Sequence, residues 1–157
     1  MDISYVPMAR GFVYVAAVMD WVTRCVLNRR ISITLASAFS LETVEEAIAR
    51  QGCPAIFKTD QGVRFGGTAF TGLLLDHGIR SGMDPRGGWR DNVYVERLWR
   101  SLKYEEVYLR AYDAASGAKA SLGRYFEYYN TSRRHSSLAD QTPDEAYFSP
   151  LSLPVAA

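Results

Sequence analysis

The clearest indication of the fold is the run Phe12-Val13-Tyr14-Val15-Ala16-Ala17-Val18-Met19. A β-prone run that is almost wholly apolar is typical of a strand that other elements cover on both faces. We therefore expect this strand at or near the centre of a sheet. Strand-like segments flank it at residues 2–6 and 24–32, so the first part of the chain predicts a three-stranded antiparallel meander.

Helices and short strands alternate after the meander. In the first helix, over residues 41–50, Leu41, Val44 and Ile48 fall on one face and Ser40 is the predicted N-cap. The remaining predicted elements are a strand over residues 55–60, a helix over 68–76, a strand over 79–83, helices over 91–103 and 115–129, and a short helix at Pro143 capped by Thr142.

Composition indicates an ordinary globular protein. The chain has 157 residues, 48% of them hydrophobic, and a formal net charge of +1, which excludes a basic tail or a disordered acidic segment. We expect one domain over residues 1–150 and a disordered tail over 151–157. Two sparse cysteines and no apolar run of about 20 residues favour a reduced, cytoplasmic setting without a membrane span.

Three acidic residues suggest metal-assisted chemistry. Asp60 closes the apolar run of the fourth strand, Glu96 sits inside the helix over 91–103, and Asp2 begins the first strand. If the fold brings these carboxylates together, they supply the hard oxygen ligands that a divalent cation prefers. Asp20 also ends an apolar strand and is the reserve candidate, although its neighbours Trp21 and Arg24 favour a role in a turn or an ion pair.

The helix that contains Glu96 carries two different faces. One stripe is polar and consists of Asn92, Glu96, Arg100 and Lys103. The second stripe is apolar and consists of Val95, Leu98 and Leu102. An amide, a guanidinium and an ammonium beside a metal-binding carboxylate suit a phosphodiester backbone. The alternative interpretation is a surface helix with incidental charges.

Several short motifs, in this order and spacing, resemble bacterial insertion-sequence transposases with a retroviral-integrase-type core. The motifs are Asp2-Ile3-Ser4-Tyr5, Thr59-Asp60-Gln61-Gly62, Trp89-Arg90-Asp91-Asn92 with Glu96 and Lys103, Tyr129-Asn130, Arg133, His135-Ser136-Ser137-Leu138 and Thr142-Pro143. The resemblance covers nearly all of the chain. It implies an α/β, RNase H-like fold with a central mixed five-stranded sheet, three antiparallel strands followed by two parallel ones, flanked by helices.

The resemblance also implies a site and a reaction. The Asp, Asp, Glu triad carries over to Asp2, Asp60 and Glu96, which would bind two Mg²⁺ or Mn²⁺ ions. The expected reaction is hydrolysis at a transposon end followed by attack of the freed 3′-hydroxyl on target DNA. The expected partners are DNA and further copies of the chain. Residues expected to bind DNA are Arg90, Asn92, Arg100, Lys103, Arg133, Arg134 and His135.

Some of these residues also have structural interpretations. An exposed histidine near a helix end, such as His135, is commonly structural, and Trp99 is more often a packing anchor than a base-stacking residue. Asp2 lies beside the α-amino group, whose positive charge would oppose a dication, and terminal residues tend to fray. We therefore expect a truncated first strand that holds Asp2 poorly.

Two other functions remain open from the sequence. The chain could be an inactive, truncated fragment that binds DNA or full-length transposase. It could also be an RNase H-like nuclease acting on RNA–DNA hybrids, although the late motif from Arg133 to Pro143 favours transposition.

Overall fold

The computed structural model of the chain describes residues 1–59, 67–82 and 93–149. Three of the predicted site residues, Asp60, Arg90 and Asn92, lie outside these ranges, as does the predicted tail over 151–157. Their roles therefore stay predictions.

The predicted meander is confirmed. Strand β1 (Asp2–Pro7) pairs antiparallel with β2 (Phe12–Met19), which pairs antiparallel with β3 (Val26–Ser32) on its other side. The third strand begins two residues later than predicted, because Arg24 adopts a left-handed backbone conformation with φ of +63° that a strand cannot include.

Strand β2 is central and covered on both faces, as its composition predicts. Successive side chains of a strand point to opposite faces. Val13, Val15, Ala17 and Met19 therefore enter one apolar cluster, and Ala16 and Val18 enter a second. The meander thus forms the middle layer of a three-layer structure.

The helices cover the two faces of this sheet. Helices α1 (Ser37–Gln51) and α2 (Thr68–Asp76) contribute buried side chains to the cluster that contains Val18. Helices α3 (Val93–Glu105) and α4 (Ala115–Thr131) contribute to the cluster that contains Val15. A short helix, α5 (Pro143–Phe148), follows α4.

Two further strands form a parallel pair, as predicted. They are β4 (Ile56–Phe57) and β5 (Arg80–Ser81). The α-amino group of Met1 donates a hydrogen bond to the Lys58 carbonyl at 2.8 Å, which places the start of β1 beside the end of β4. Three antiparallel and two parallel strands are therefore present, hydrogen-bonded as two adjacent sheets.

The two predicted helix caps had different outcomes. Thr142 caps α5 in a full capping box with Glu145, as expected from a Thr-Pro-x-Glu start. The prediction that Ser40 caps α1 is wrong, because the helix begins at Ser37 and Ser40 is buried within its first turns. Phe39 packs in the core, so the apolar face of the helix extends one turn earlier than the sequence pattern suggested.

In the described parts of the chain, no helix is both long enough and apolar enough to cross a membrane.

The packing predicts a large difference between two leucines. Leu102 on α3 is 0% exposed, whereas Leu75 on α2 is 70% exposed. We expect Leu102→Ala to lower the free energy of unfolding by about 2–5 kcal/mol through lost burial and a residual cavity. Leu75→Ala should change it by less than about 0.5 kcal/mol. Urea unfolding followed by circular dichroism measures both, and equal effects would contradict the packing described here.

Candidate active site

Asp2 is held firmly at the beginning of β1. It pairs in register with Ala17 of the central strand. Its Oδ1 accepts a hydrogen bond from the Ile3 backbone N–H at 2.7 Å, and its Oδ2 accepts one from the Trp99 indole Nε1–H at 2.8 Å. One contact from its own strand and one from helix α3 therefore fix the carboxylate.

Helix α3 brings Glu96 to the same region. Val95, Leu98 and Leu102 bury one stripe of the helix in the core, and Glu96 on the opposite stripe is exposed. Glu96 precedes Trp99 by three residues, a spacing that puts side chains on neighbouring positions of a helix surface, with about 5–6 Å between their Cβ atoms. Trp99 contacts Asp2 directly, and Glu96 lies about one helical turn before Trp99. The first and third predicted acids are therefore in the same region.

The end of the fourth strand, β4, lies in the same region. The Met1 amine binds the carbonyl of Lys58, which precedes Asp60 by two residues in the sequence. Three chain segments that carry the predicted acids are thus joined by two hydrogen bonds, one at Lys58 and one at Trp99.

The expectation that Asp2 is poorly held is wrong. Met1 is buried among apolar residues, and Asp2 has strand and side-chain partners. Burial lowers the pKa of the Met1 α-amino group to about 6, against a smaller raising effect of the Asp2 carboxylate. The amine is therefore mostly neutral at pH 7, and the expected repulsion of a cation is largely removed.

Asp20 has the turn role that its neighbours favoured. Its Oδ2 accepts hydrogen bonds from the backbone N–H of Thr23 at 2.9 Å and from the Thr23 hydroxyl at 2.6 Å. Such contacts two or three residues ahead are typical of Asp in turns. Asp20 thus shapes the connection between β2 and β3.

The stripe of cations on α3 is exposed or half-buried, as predicted. The guanidinium carbon of Arg100 lies 5.8 Å from the centre of the Tyr104 ring. Neither Arg100 nor Lys103 forms an ion pair with any residue in the described ranges. Both side chains remain available to an external anion.

The predicted basic residues after α4 have partners within the fold. Arg133 forms a two-pronged contact with Glu105, with its Nη2 at 2.6 Å and its Nε at 2.9 Å from carboxylate oxygens, and this contact raises its pKa. Arg134 donates to the Asp140 carbonyl at 2.7 Å. Their assignment as DNA contacts stays a prediction, and Arg134 is the more exposed of the two.

His135 packs edge-on against Tyr129, with 5.1 Å between ring centres. Burial, together with the nearby charges of Arg133 and Arg24, lowers its pKa to about 4. The imidazole is therefore neutral at physiological pH and supplies no positive charge to a phosphate, although it can still exchange a hydrogen bond.

Sequence reasoning missed a cluster of aromatic and cationic side chains next to the predicted acids. It consists of Trp21, Arg24, Lys58 and Tyr94. The Lys58 Nζ lies 4.6 Å from the Trp21 ring, the Arg24 guanidinium lies 3.9 Å from the Tyr94 ring, and the two rings are 5.9 Å apart. No spacing rule links these residues, because they come from three separate segments.

The described donors fit a hard divalent cation by their chemistry. Ionised carboxylates accept several contacts at each oxygen, so one hydrogen bond to each oxygen of Asp2 leaves acceptor capacity. Within residues 1–59, 67–82 and 93–149, no group of three or more His, Cys, Asp or Glu side chains is close enough to hold a metal. The predicted set of three includes Asp60, which lies outside those ranges.

Two sequence-family models match the chain. Both are described as an integrase core domain, and they match residues 1–87 and 77–143. The chain belongs to the integrase core domain family. Together the two matches cover all five strands and helices α1 to α4, and they end at the first residue of α5.

Curated relatives of this integrase core are transposases. The transposase for insertion sequence IS3A of Escherichia coli is 28% identical over 147 residues, which are 92% of this chain and 51% of the relative. The transposase of IS904 from Lactococcus lactis is 26% identical over 92% of this chain and 58% of its own length. The chain thus spans about half the length of the curated relatives that it matches.

Solved structures share the fold of this integrase core at low sequence identity. A chain of a simian T-cell lymphotropic virus intasome superposes with a TM-score of 0.77 and 17% identity, over 99% of this chain and 55% of the other. The HTLV-2 integrase catalytic core domain with magnesium gives a TM-score of 0.66 and 15% identity, over 95% and 92%. The RNase H-like fold is therefore shown.

The contact between Asp2 and Trp99 predicts a measurable coupling. We expect Trp99→Phe, which keeps most of the ring but removes the donor, to lose about 1.5 kcal/mol of coupling energy with Asp2, as for hydrogen bonds to charged groups. A double-mutant cycle with Asp2→Ala, measured by urea unfolding, isolates this value. Strictly additive effects would contradict the contact.

The environment of His135 predicts a dependence of stability on pH. Its pKa is about 4 in the folded chain and about 6.5 in an unfolded one, so the unfolded chain binds the proton first as the pH falls. The free energy of unfolding therefore decreases between about pH 6.5 and about pH 4 through this group. His135→Gln should lose less stability over that window, as measured by urea unfolding at pH 7, 5.5 and 4.5. Parallel curves for the two proteins would contradict this expectation.

Proposed function

We propose that this chain is the catalytic core of a DNA transposase. In this proposal it hydrolyses a phosphodiester bond at a transposon end and then joins the freed 3′-hydroxyl to target DNA. The hydrogen bond between Asp2 and Trp99 carries the proposal, because it holds the first predicted acid against the helix of the third. The similarity to the transposases of IS3A and IS904 supports the reaction class.

Asp2, Asp60 and Glu96 would hold the metal, with two Mg²⁺ or Mn²⁺ ions in the DNA-bound assembly. Bound divalent cations stabilise the charges on the attacking and leaving oxygens of an in-line displacement. The related HTLV-2 core was solved with magnesium, which supports the choice of metal. The donors available here are oxygens, which Mg²⁺ prefers over nitrogen or sulfur.

The atoms balance in both proposed steps, and neither step needs an external source of energy. In the first, a water oxygen bonds to phosphorus and the P–O3′ bond breaks. The 3′ oxygen gains a proton, and the phosphate stays on the 5′ end of the other fragment. In the second, the new 3′-hydroxyl loses its proton and bonds to phosphorus in the target strand, and the target's own 3′ oxygen leaves. One phosphodiester is exchanged for another, so this step needs no nucleotide cofactor.

The chain's own residues would position the strands around these acids. Asp2 is oriented by Trp99, so its carboxylate does not have to reorganise on binding. Arg100 and Lys103 extend from Glu96 along α3 and suit the phosphates of a strand that lies over the helix. Further proposed DNA contacts are Arg90, Asn92, Arg133, Arg134 and His135.

A homo-oligomer is proposed as the working form. The HTLV-2 core was solved in dimeric and trimeric forms, and the simian virus chain belongs to an intasome. Joining two transposon ends to one target requires two active sites held together, which a symmetric assembly of one chain would provide.

The test uses a branched DNA that imitates the product of joining one transposon end to a target strand. Resolving this branch is the reverse of strand transfer, and it does not require recognition of particular end sequences. We expect the purified chain with Mg²⁺ or Mn²⁺ to resolve the branch, and Glu96→Gln to reduce the rate by at least ~100-fold, as for the loss of a group that stabilises transition-state charge. Labelled oligonucleotides on a denaturing gel measure the rate.

Glu45→Gln is the matched control. Glu45 is an exposed glutamate of α1, and its replacement changes the net charge by the same amount. It should leave the rate unchanged. Activity that survives Glu96→Gln would reject the mechanism, and preferential cleavage of RNA–DNA hybrids would favour the nuclease interpretation instead. Inhibition of an active transposase by an inactive chain would favour the fragment interpretation.

A further inference from the structure

Arg24 occupies an unusual backbone position beside the candidate acids. Its φ is +63°, a region that long side chains adopt rarely and at a cost in free energy. The residue lies in the connection between β2 and β3, which the Asp20 side chain closes through Thr23. Backbone strain of this kind concentrates at binding and catalytic sites, so the position calls for a functional explanation.

The side chain of Arg24 is held in place by an aromatic ring and has no counter-ion among the described residues. Its guanidinium stacks at 3.9 Å over the Tyr94 ring, in the first turn of α3. Its Nε is buried and has no hydrogen-bond acceptor among the residues that the structure describes. Burial lowers its pKa, and no carboxylate of those residues offsets that effect. Buried donors in folded proteins nearly always have an acceptor, so this guanidinium is a candidate contact for a bound anion.

A second cation that lacks an ion-pair partner in the described part of the chain lies nearby. Arg97 follows Tyr94 by three residues on α3, so it is a neighbour on the helix surface of the ring that Arg24 covers, and its charge lowers the pKa of Arg24 further. Arg97 is exposed on α3, directly after Glu96, and forms no ion pair within the described residues. Arg133 is also close to this region, but Glu105 neutralises it. Two neighbouring guanidinium groups without a carboxylate form a natural site for an anion.

We propose that Arg24 and Arg97 together hold a phosphodiester group of a DNA strand beside Asp2 and Glu96. Tyr94 fixes the plane of the Arg24 guanidinium, and a planar guanidinium matches two phosphate oxygens at once. The site lies at the first turns of α3, where the helix dipole also favours negative charge. The proposal rests on the proposed function for the choice of DNA as the ligand, and it adds Arg24 and Arg97 to the residues that position the strand.

DNA binding tests the proposal without requiring catalysis. All proteins carry Glu96→Gln to prevent turnover, and fluorescence anisotropy with the branched DNA gives Kd at several salt concentrations. We expect Arg24→Gln to raise Kd about tenfold, as for a lost charge-assisted hydrogen bond. It should also lower the slope of log Kd against log salt concentration by about 1, as for one lost phosphate contact.

Arg10→Gln is the matched control for charge. Arg10 is exposed in the turn between β1 and β2, at the opposite end of β1 from Asp2. This variant should bind like its parent. Equal Kd values and salt slopes for the Arg24 and Arg10 variants would overturn the proposal, even if the chain resolves branched DNA. Failure of the parent to bind DNA at all would overturn both this proposal and the proposed function.

Thermal stability separates a binding role from a structural one. Glycine tolerates positive φ, so Arg24→Gly relieves the backbone strain while removing the guanidinium. We expect its Tm to stay within about 2 °C of the parent, as for other replacements without a core effect, while its DNA affinity falls. Arg24→Lys, which keeps the charge but not the planar fork, should recover part of the affinity. A large fall in Tm for both Arg24→Gly and Arg24→Gln would assign Arg24 to the fold and overturn the proposal.

Discussion

The hydrogen bond from the Trp99 indole to the Asp2 carboxylate is the contact on which the candidate site depends. Trp99 is buried in the same apolar cluster as Val15 and Leu98, so its position follows from core packing. A buried indole N–H needs an acceptor, and the acceptor here is the first predicted acid. The packing of the core therefore fixes the position of the Asp2 carboxylate on the edge strand β1. The hydrogen bond of Trp99 and that between Met1 and Lys58 together hold β1, the end of β4 and α3 next to one another.

The basic side chains on and beside α3 differ from several others in the fold. Arg30 pairs with Glu42 and Glu46, and Arg110 pairs with Glu106. Arg24, Arg97, Arg100 and Lys103, on or against α3, have no such partner within the described residues. A protein of net charge +1 can therefore present a local positive surface. That surface follows the helix that carries Glu96, where the proposed DNA strand would lie.

Much of the fold was predictable because its main elements have strong local patterns. The apolar run of β2 predicted a strand covered on both faces, and the stripe of Val95, Leu98 and Leu102 predicted which side of α3 meets the core. The start of α1 was mispredicted because the burial of Phe39 extends that helix beyond its clearest periodicity. Strands of only two residues, such as β4 and β5, are too short to show a clear hydrophobic alternation. Their pairing depends on the elements that pack around them.

The sequence by itself determined the strand and helix order, the family, and the identities of the predicted acids, because periodicity and motif spacing are properties of the chain alone. Tertiary structure decided that Trp99 orients Asp2, that the Met1 amine is buried and mostly neutral, and that Arg24 stacks on Tyr94 beside Arg97. Each of these depends on contacts between segments that are far apart in sequence. Such contacts are set by the packing of the helices on the sheet, which residue spacing does not encode.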